Sequence, residues 1–206
     1  MKRGPVFALT LAVAMACASG CSSPSDEGGL GAPYPSRTSP ARTVEKLRLA
    51  YEGLDVEAYL DCLAADFTFF LNPDDVAEDP SLEPGYWDKA EERTIHENMF
   101  GSGTRLGADS IEITLTQVED PLPVDPGDGT GTHWQYKEYV DLRVHVGDMM
   151  YWTNCPTMFE LRIDQDETGP HGEELWEICD WYDLDEEGRR AAAEASSWGM
   201  LKAWFR

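Results

Sequence analysis

The feature that most constrains this chain is a long alternation between His133 and Val146. Trp134, Tyr136, Val140, Leu142, Val144 and Val146 are apolar, and the odd positions between them are mostly polar. A period of two over that length describes a β-strand with one buried face. Such a strand needs long partners, and the sequence offers several. Ile111, Ile113 and Leu115 alternate upstream, while Tyr151–Ile163 and Leu175–Leu184 read as two further strands. The turn-rich stretch Pro121–Thr132 separates the first of these from the long strand.

The N-terminal half carries a helical period instead. Ser39-Pro40 is an N-cap followed by proline at the first helical position, and Val44, Leu47, Tyr51 and Leu54 then fall on one face. Gly53 marks the stop, and Asp55 can cap a second helix carrying Val56, Leu60 and Leu63. Phe67–Leu71 reads as a short strand and residues 72–86 as a loop rich in proline and acid. A third helix fits Asp88–Phe100, with Ala90 or Glu91, Ile95 and Met99 inward. A last helix is expected over Arg189–Phe205, where Ala191, Ala195, Trp198 and Phe205 share a face. Gly199 inside it would cost about 1 kcal/mol relative to alanine. Helices followed by a run of antiparallel strands define an α+β chain.

Two segments carry a resemblance. DVEAYLDCLAADFTF, from Asp55 to Phe69, resembles the opening of the nuclear-transport-factor-2-like superfamily, also called SnoaL-like or ketosteroid-isomerase-like. The segment from Trp176 to Leu184 resembles a strand common in the same group. The resemblance implies a cone: a strongly curved antiparallel sheet wrapped around the N-terminal helices, leaving a cavity. Members include enzymes, ligand binders and inert partner domains, so the fold does not supply the function. Steroid-isomerase members use a tyrosine on the first helix and a carboxylate just after the first strand. Here those places fall on Leu47 and on Leu71 or Asn72, which cannot do that proton chemistry.

The N-terminus has its own signature. Met1-Lys2-Arg3 precedes an apolar run from Pro5 to Ala18, which reads as an export signal. Ala18-Ser19-Gly20-Cys21 resembles the lipobox of bacterial lipoproteins, with Ala18 where leucine is usual, and makes Cys21 the expected lipidation site. Residues 1–20 are then a lipoprotein signal peptide and 21–38 a flexible Ser/Pro/Gly tether, averaging roughly 25 Å end to end. The domain is expected over 39–206, held at the cell envelope through a membrane lipid anchor. Ser22 after the lipid cysteine resembles the default for the outer membrane. Loss of Lys2 and Arg3 leaves 14 basic residues against 39 acidic, a net charge of −25. Phosphate backbones would repel such a chain, which excludes nucleic acid as a partner.

Glu138 is the charged exception on the apolar face of the long strand, and a carboxylate against an apolar wall gains a raised pKa. A bulge turning it outward, or an ion pair, is the bland alternative. Asp180 lies in phase with Trp176 and Ile178, so it faces a cavity if they do. The opposite phase puts Leu175, Cys179 and Trp181 inward. His96, beside Ile95, is a candidate for a pocket rim or a surface position. Trp134, Glu138, Tyr151, Trp176 and Asp180 form the expected ligand pocket, with core filling as the alternative for the aromatics. Cys62, Cys155 and Cys179 match no Cys/His zinc spacing, the acidic loops lack a calcium-loop pattern, and no cofactor motif is present. Simple hairpin pairing puts Cys179 opposite Met158 or Phe159, about 10–13 Å from Cys155, so both are expected reduced.

The expected function is binding of a small apolar or aromatic molecule, or of an envelope protein or second copy. The alternative is a cofactor-free acid–base enzyme (a dehydratase, isomerase or hydrolase) using Glu138 or Asp180 with His96. The anchor is tested by Cys21→Ser: labelling with a fatty-acid analogue should disappear and an uncleaved or mislocalised protein accumulate. Unchanged labelling of the mutant would sink the assignment.

Overall fold

The computed structural model describes residues 34–101, 107–127, 129, 131–184 and 197–206. The helical half forms α1 (Pro40–Glu52), α2 (Val56–Leu60), α3 (Pro73–Glu78) and α4 (Lys89–Phe100). Between them lie β1 (Leu63–Phe70) and the short β2 (Tyr86–Asp88). The strands β3 (Ser110–Gln117), β4 (Leu122–Val124), β5 (His133–Val146), β6 (Met149–Thr168) and β7 (Glu174–Asp183) follow, and α5 (Trp198–Ala203) closes the chain. The seven strands make one curved, unclosed sheet in the order β2-β1-β7-β6-β5-β3, with β4 on the same edge of β5 as β3. Every pairing is antiparallel except β1 with β7. This is the α+β architecture expected, a curved, mostly antiparallel sheet wrapped around the N-terminal helices.

The long alternation does what its period demands. Val140, Leu142 and Val144 are buried toward the helices, and β5 pairs without interruption to β6 from Trp134↔Leu161 to Val146↔Met149. From the other side, α1 contributes Val44, Leu47, Ala50 and Tyr51 to the core. Ser39 caps it as expected, its side chain accepting from the Arg42 N–H.

Several elements differ from the sequence expectation. The loop over residues 72–86 contains α3 and a 3₁₀ turn at Pro80–Leu82, each introduced by an Asn-Pro or Asp-Pro cap. Because α3 buries nothing, no apolar period announced it. Pro121–Thr132 contains β4, whose Pro123 is tolerated on an edge strand that needs no donor there. The fold also starts before residue 39. The Arg37 guanidinium is buried, donating to Asp164 at 3.3 Å, Glu167 at 2.9 Å and the Trp176 carbonyl at 3.1 Å. Residues 34–38 therefore belong to the domain rather than to the tether. The expected signal peptide, Cys21, most of the tether and the first turns of the last helix, with Ala191 and Ala195, lie outside the described residues.

Gly199 is closely packed, so a side chain there would have to displace its neighbours. A Cβ there would stand 2.7 Å from Leu71 Cδ2 and 3.0 Å from Asp183 Oδ2, and its N–H donates to Asp183 at 2.7 Å. That close approach brings α5 into the cone. Trp198, Leu201, Lys202 and Phe205 are all buried there. Trp198 packs edge-on against Trp181 and Tyr51, with ring centroids at 4.3 and 5.5 Å. Lys202 is fully buried, with Nζ 2.9 and 3.0 Å from the two Glu92 oxygens of α4 and 3.8 Å over the Phe69 ring. The chain's own C-terminus thus occupies the interior of the cone.

Removing one partner of a buried ion pair leaves the other charge stranded, typically at about 3–5 kcal/mol. Lys202→Met should therefore lower unfolding free energy by about that amount, and adding Glu92→Gln should recover a large part of it. Urea denaturation of both variants checks this. Near-neutral behaviour of the single variant would mean α5 is not held by the pair.

Candidate functional site

Helix α1 crosses the sheet over β3 and β5. Its deep face fills the core, while Ala41, Val44, Glu45 and Arg48, spaced along one side, overhang the strands. Under that side lies a slot of about 300 Å³, floored by Leu115 and Gln117 of β3 and Tyr136 and Glu138 of β5. Glu138 enters it because β5 alternates cleanly: it is the next inward residue after Val140, paired in register with Gln117. Glu138 is 6 % exposed. Burial raises its carboxyl pKa, and its presence adds to the burial-driven rise of the Tyr136 phenol. Arg48 does not neutralise it, being held by Glu45 at 2.8 Å and Glu52 at 2.7 Å. The slot therefore combines a mixed lining, apolar at Ala41, Val44 and Leu115 and polar at Glu45, Arg48 and Gln117, with a carboxylate at Glu138 that has no ionic partner among the described residues.

The remaining candidates lie elsewhere. Trp134 shares the phase of Glu138 but sits beyond Tyr136, outside the slot, opposite Leu161. Tyr151 is near the other end of β6, its ring 4.7 Å from Trp204 and 6.2 Å from Phe205. Trp176 pairs with Ile163, and its carbonyl accepts from Arg37 and from the Thr43 hydroxyl. These three do not join Glu138, because strands this long carry one phase through several separate environments.

Asp180 is displaced by a bulge. Leu161 pairs with Ile178 and Glu160 with Asp180, leaving Cys179 as the extra residue. One inserted residue inverts the phase of everything after it. Ile178 and Trp181 face the core, and Asp180 faces outward beside Glu160. Burial, then Glu160 and Asp66, push its carboxyl up to about 6. The same bulge shifts Cys179 past the expected Met158 or Phe159 to Glu160, whose carbonyl accepts from its thiol at 3.3 Å. Cys62, Cys155 and Cys179 are buried free thiols.

His96 is neither on a rim nor on the surface. It is fully buried and stacked on Tyr59 at 3.8 Å. Its Nδ1 lies 2.8 Å from the Glu92 carbonyl and its Nε2 2.6 Å from the Tyr51 hydroxyl. Those partners assign the proton to Nδ1 and make Tyr51 the donor to Nε2. Burial lowers its pKa, so the ring is neutral. Tyr59 donates to Glu92 Oε2 at 2.7 Å. Burial alone would raise the Glu92 pKa, but Lys202 and then His96 outweigh it and hold the carboxylate down at about 2. Two phenols, an imidazole, a carboxylate and an ammonium thus satisfy one another inside the core. Glu138, Asp180 and His96 consequently occupy three separate environments.

Sequence reasoning missed this network because charged residues read as surface. The only signal was position: Glu92, His96 and Met99 share a helical face, as do Trp198, Lys202 and Phe205.

No protein-family model matches the sequence, and no curated protein does. Similar solved structures include a conserved protein from Planctomyces limnophilus, at 16 % identity and TM-score 0.48, covering 70 % of this chain and 91 % of that one. Another is a protein provisionally named a scytalone dehydratase from Novosphingobium aromaticivorans, at 8 % identity and TM-score 0.48, covering 75 % and 89 %. A third is an NTF2-like protein of unknown function in nutrient uptake from Rhodospirillum rubrum, at 14 % identity and TM-score 0.45, covering 70 % and 95 %. The class itself is defined by this chain's own strand order and helix placement: an α+β cone domain.

Asp183 supplies a pH test of how α5 is seated. It is buried, accepts the Gly199 N–H at 2.7 Å and the Cys155 thiol at 3.7 Å, and is pushed up to about 6 by burial. A carboxyl whose folded pKa exceeds its unfolded value contributes stability below the unfolded value, near 3.9, and loses it as pH rises through the folded one. Asp183→Asn should therefore gain about 2–3 kcal/mol relative to wild type between pH 4 and 7, by the linkage of about two pKa units. A flat difference across that window in urea titrations would refute the assignment.

Proposed function

We propose that this protein is a lipid-tethered binding domain of the cell envelope, held on the outer membrane through Cys21. Its ligand is a small molecule with an apolar or aromatic body and a protonated amine or comparable donor. The observation that carries the reading is the slot beneath α1, where Glu138 stands without an ionic partner among Leu115, Val44 and the Tyr136 ring. Apolar surface from Val44, Leu115 and the Tyr136 ring beside a few convergent polar groups is the common form of a small-ligand site. At about 300 Å³ it suits a compact compound of one or two fused rings. A carboxylate in such surroundings favours a ligand that supplies a positive charge or a strong donor, because pairing offsets the desolvation it already bears.

The acid–base enzyme reading has less support. It pairs Glu138 or Asp180 with His96, and that histidine is sealed between Tyr51, Tyr59 and Glu92, away from both. A docking domain for an envelope protein or a second copy is the second reading. It is favoured by the exposed apolar residues Met149, Met150 and Trp152 at the β5–β6 turn and by Trp204 nearby.

Tryptamine and indole-3-propionate, which share a ring and differ in charge, separate these readings. Tryptamine should shift the amide resonances of residues 41–48 and 115–117, and indole-3-propionate should leave them in place. Glu138→Gln should weaken tryptamine about tenfold, the loss of one charge-assisted hydrogen bond of about 1.5 kcal/mol. Its stability should stay equal or rise. No response at the slot to either compound would remove the small-molecule reading and leave the docking domain.

A further inference from the structure

We infer that the outer face of the sheet carries a binding site for a zinc-class divalent metal ion, with His133, Glu160 and Cys179 as its ligands. These residues come from three strands and from opposite ends of the C-terminal half. His133 opens β5, Glu160 lies on β6, and Cys179 is the bulged residue of β7. Cys179 follows the inward Ile178, so its thiol turns to the outer face, and the register shift between Ile178 and Asp180 sets it beside Glu160. Its sulfur lies 3.8 Å from His133 Nδ1, which lies 2.7 Å from Glu160 Oε1. One donor atom from each of the three residues falls within 4.8 Å of the others. All three residues are buried.

The spacing suits a tetrahedral ion. Metal bonds of about 2.0–2.1 Å to nitrogen and oxygen and 2.3 Å to sulfur set the ligand separations. At tetrahedral angles they require roughly 3.5 Å between nitrogen and sulfur and 3.3 Å between nitrogen and oxygen. The first matches the observed separation closely, and the second asks the His133–Glu160 pair to open by about half an ångström. A supporting contact is present: Gln135 donates to Glu160 Oε2 at 3.1 Å, which orients the carboxylate and leaves Oε1 toward His133. Thiolate, imidazole and carboxylate together favour zinc over calcium or magnesium, which prefer all-oxygen shells. Three protein ligands leave a fourth position for water or another ligand. Binding displaces the Cys179 thiol proton to solvent and requires the proton that His133 Nδ1 shares with Glu160 to leave that nitrogen, the ring keeping its proton on Nε2; no redox step is involved.

The mature full-length chain, stripped with a chelator and titrated with Co²⁺, tests this. A thiolate-to-cobalt charge-transfer band and the strong visible bands of a tetrahedral ion should appear, and Zn²⁺ should displace them at one equivalent. Cys179→Ser should abolish the near-ultraviolet band, Glu160→Gln should weaken cobalt tenfold or more, and Cys155→Ser should change neither. If those variants misfold, zinc on the wild-type chain should slow alkylation of Cys179 but not of Cys62, read by mass mapping. Absence of the charge-transfer band, its survival in Cys179→Ser, its loss in Cys155→Ser, or unprotected alkylation of Cys179 would each overturn the site.

Discussion

The ion pair between Lys202 and Glu92 sets the character of this cone. A lysine ammonium placed wholly inside a protein is sustained only by an opposing charge and by rings that offer their faces. Here Glu92 supplies the charge, and Phe69 and Trp181 lie at 3.8 and 4.3 Å. The pair ties α5, the last element of the chain, to α4 across the concave side of the sheet. With it come Trp198 and Phe205, whose rings fill space that the fold would otherwise leave as a cavity. The hydrogen bonds from Tyr59 to Glu92 and between Tyr51 and His96 then have no access to a substrate. They act as a satisfied polar core.

Once the interior is closed in this way, binding chemistry is pushed to the periphery. The proposed ligand slot lies where α1 overhangs β3 and β5, with Glu138 beside Leu115 and Tyr136. The inferred metal site lies on the outer face, where β5, β6 and β7 bring His133, Glu160 and Cys179 together. The sheet separates them, so a ligand in the slot and an ion on the outer face would be held by different residues of the same strands. Residues of β5 serve both: Glu138 faces inward and His133 outward. The period-two geometry of one strand accounts for that division.

Legibility in the sequence followed the strength of local signals. The alternation along His133–Val146 predicted the strand over the bounds observed, and it put Glu138 on the inner face. Caps at Ser39 and Asp55 located two helix starts, since a side-chain acceptor and the first free N–H groups lie close in sequence. The same cap signal stood at Asn72-Pro73 and Asp79-Pro80. It went unread because those helices carry no apolar stripe. Asp180 was misplaced for a different reason: a bulge depends on how two strands meet, and nothing within Trp176–Leu184 marks it.

What the sequence determined by itself, then, was whatever depends on neighbours a few residues apart: element types, the inward phase of Glu138, the acidic balance and the signature around Cys21. Tertiary structure alone decided which distant charges meet. Glu92 and Lys202 are separated by 110 positions and His133 and Cys179 by 46, so no local period relates them. Their pairing depends on the path of α5 through the cone and on one extra residue in β7. A charged side chain in a sequence is read as solvent-facing because burial is costly, and only the folded chain shows the partner that offsets that cost.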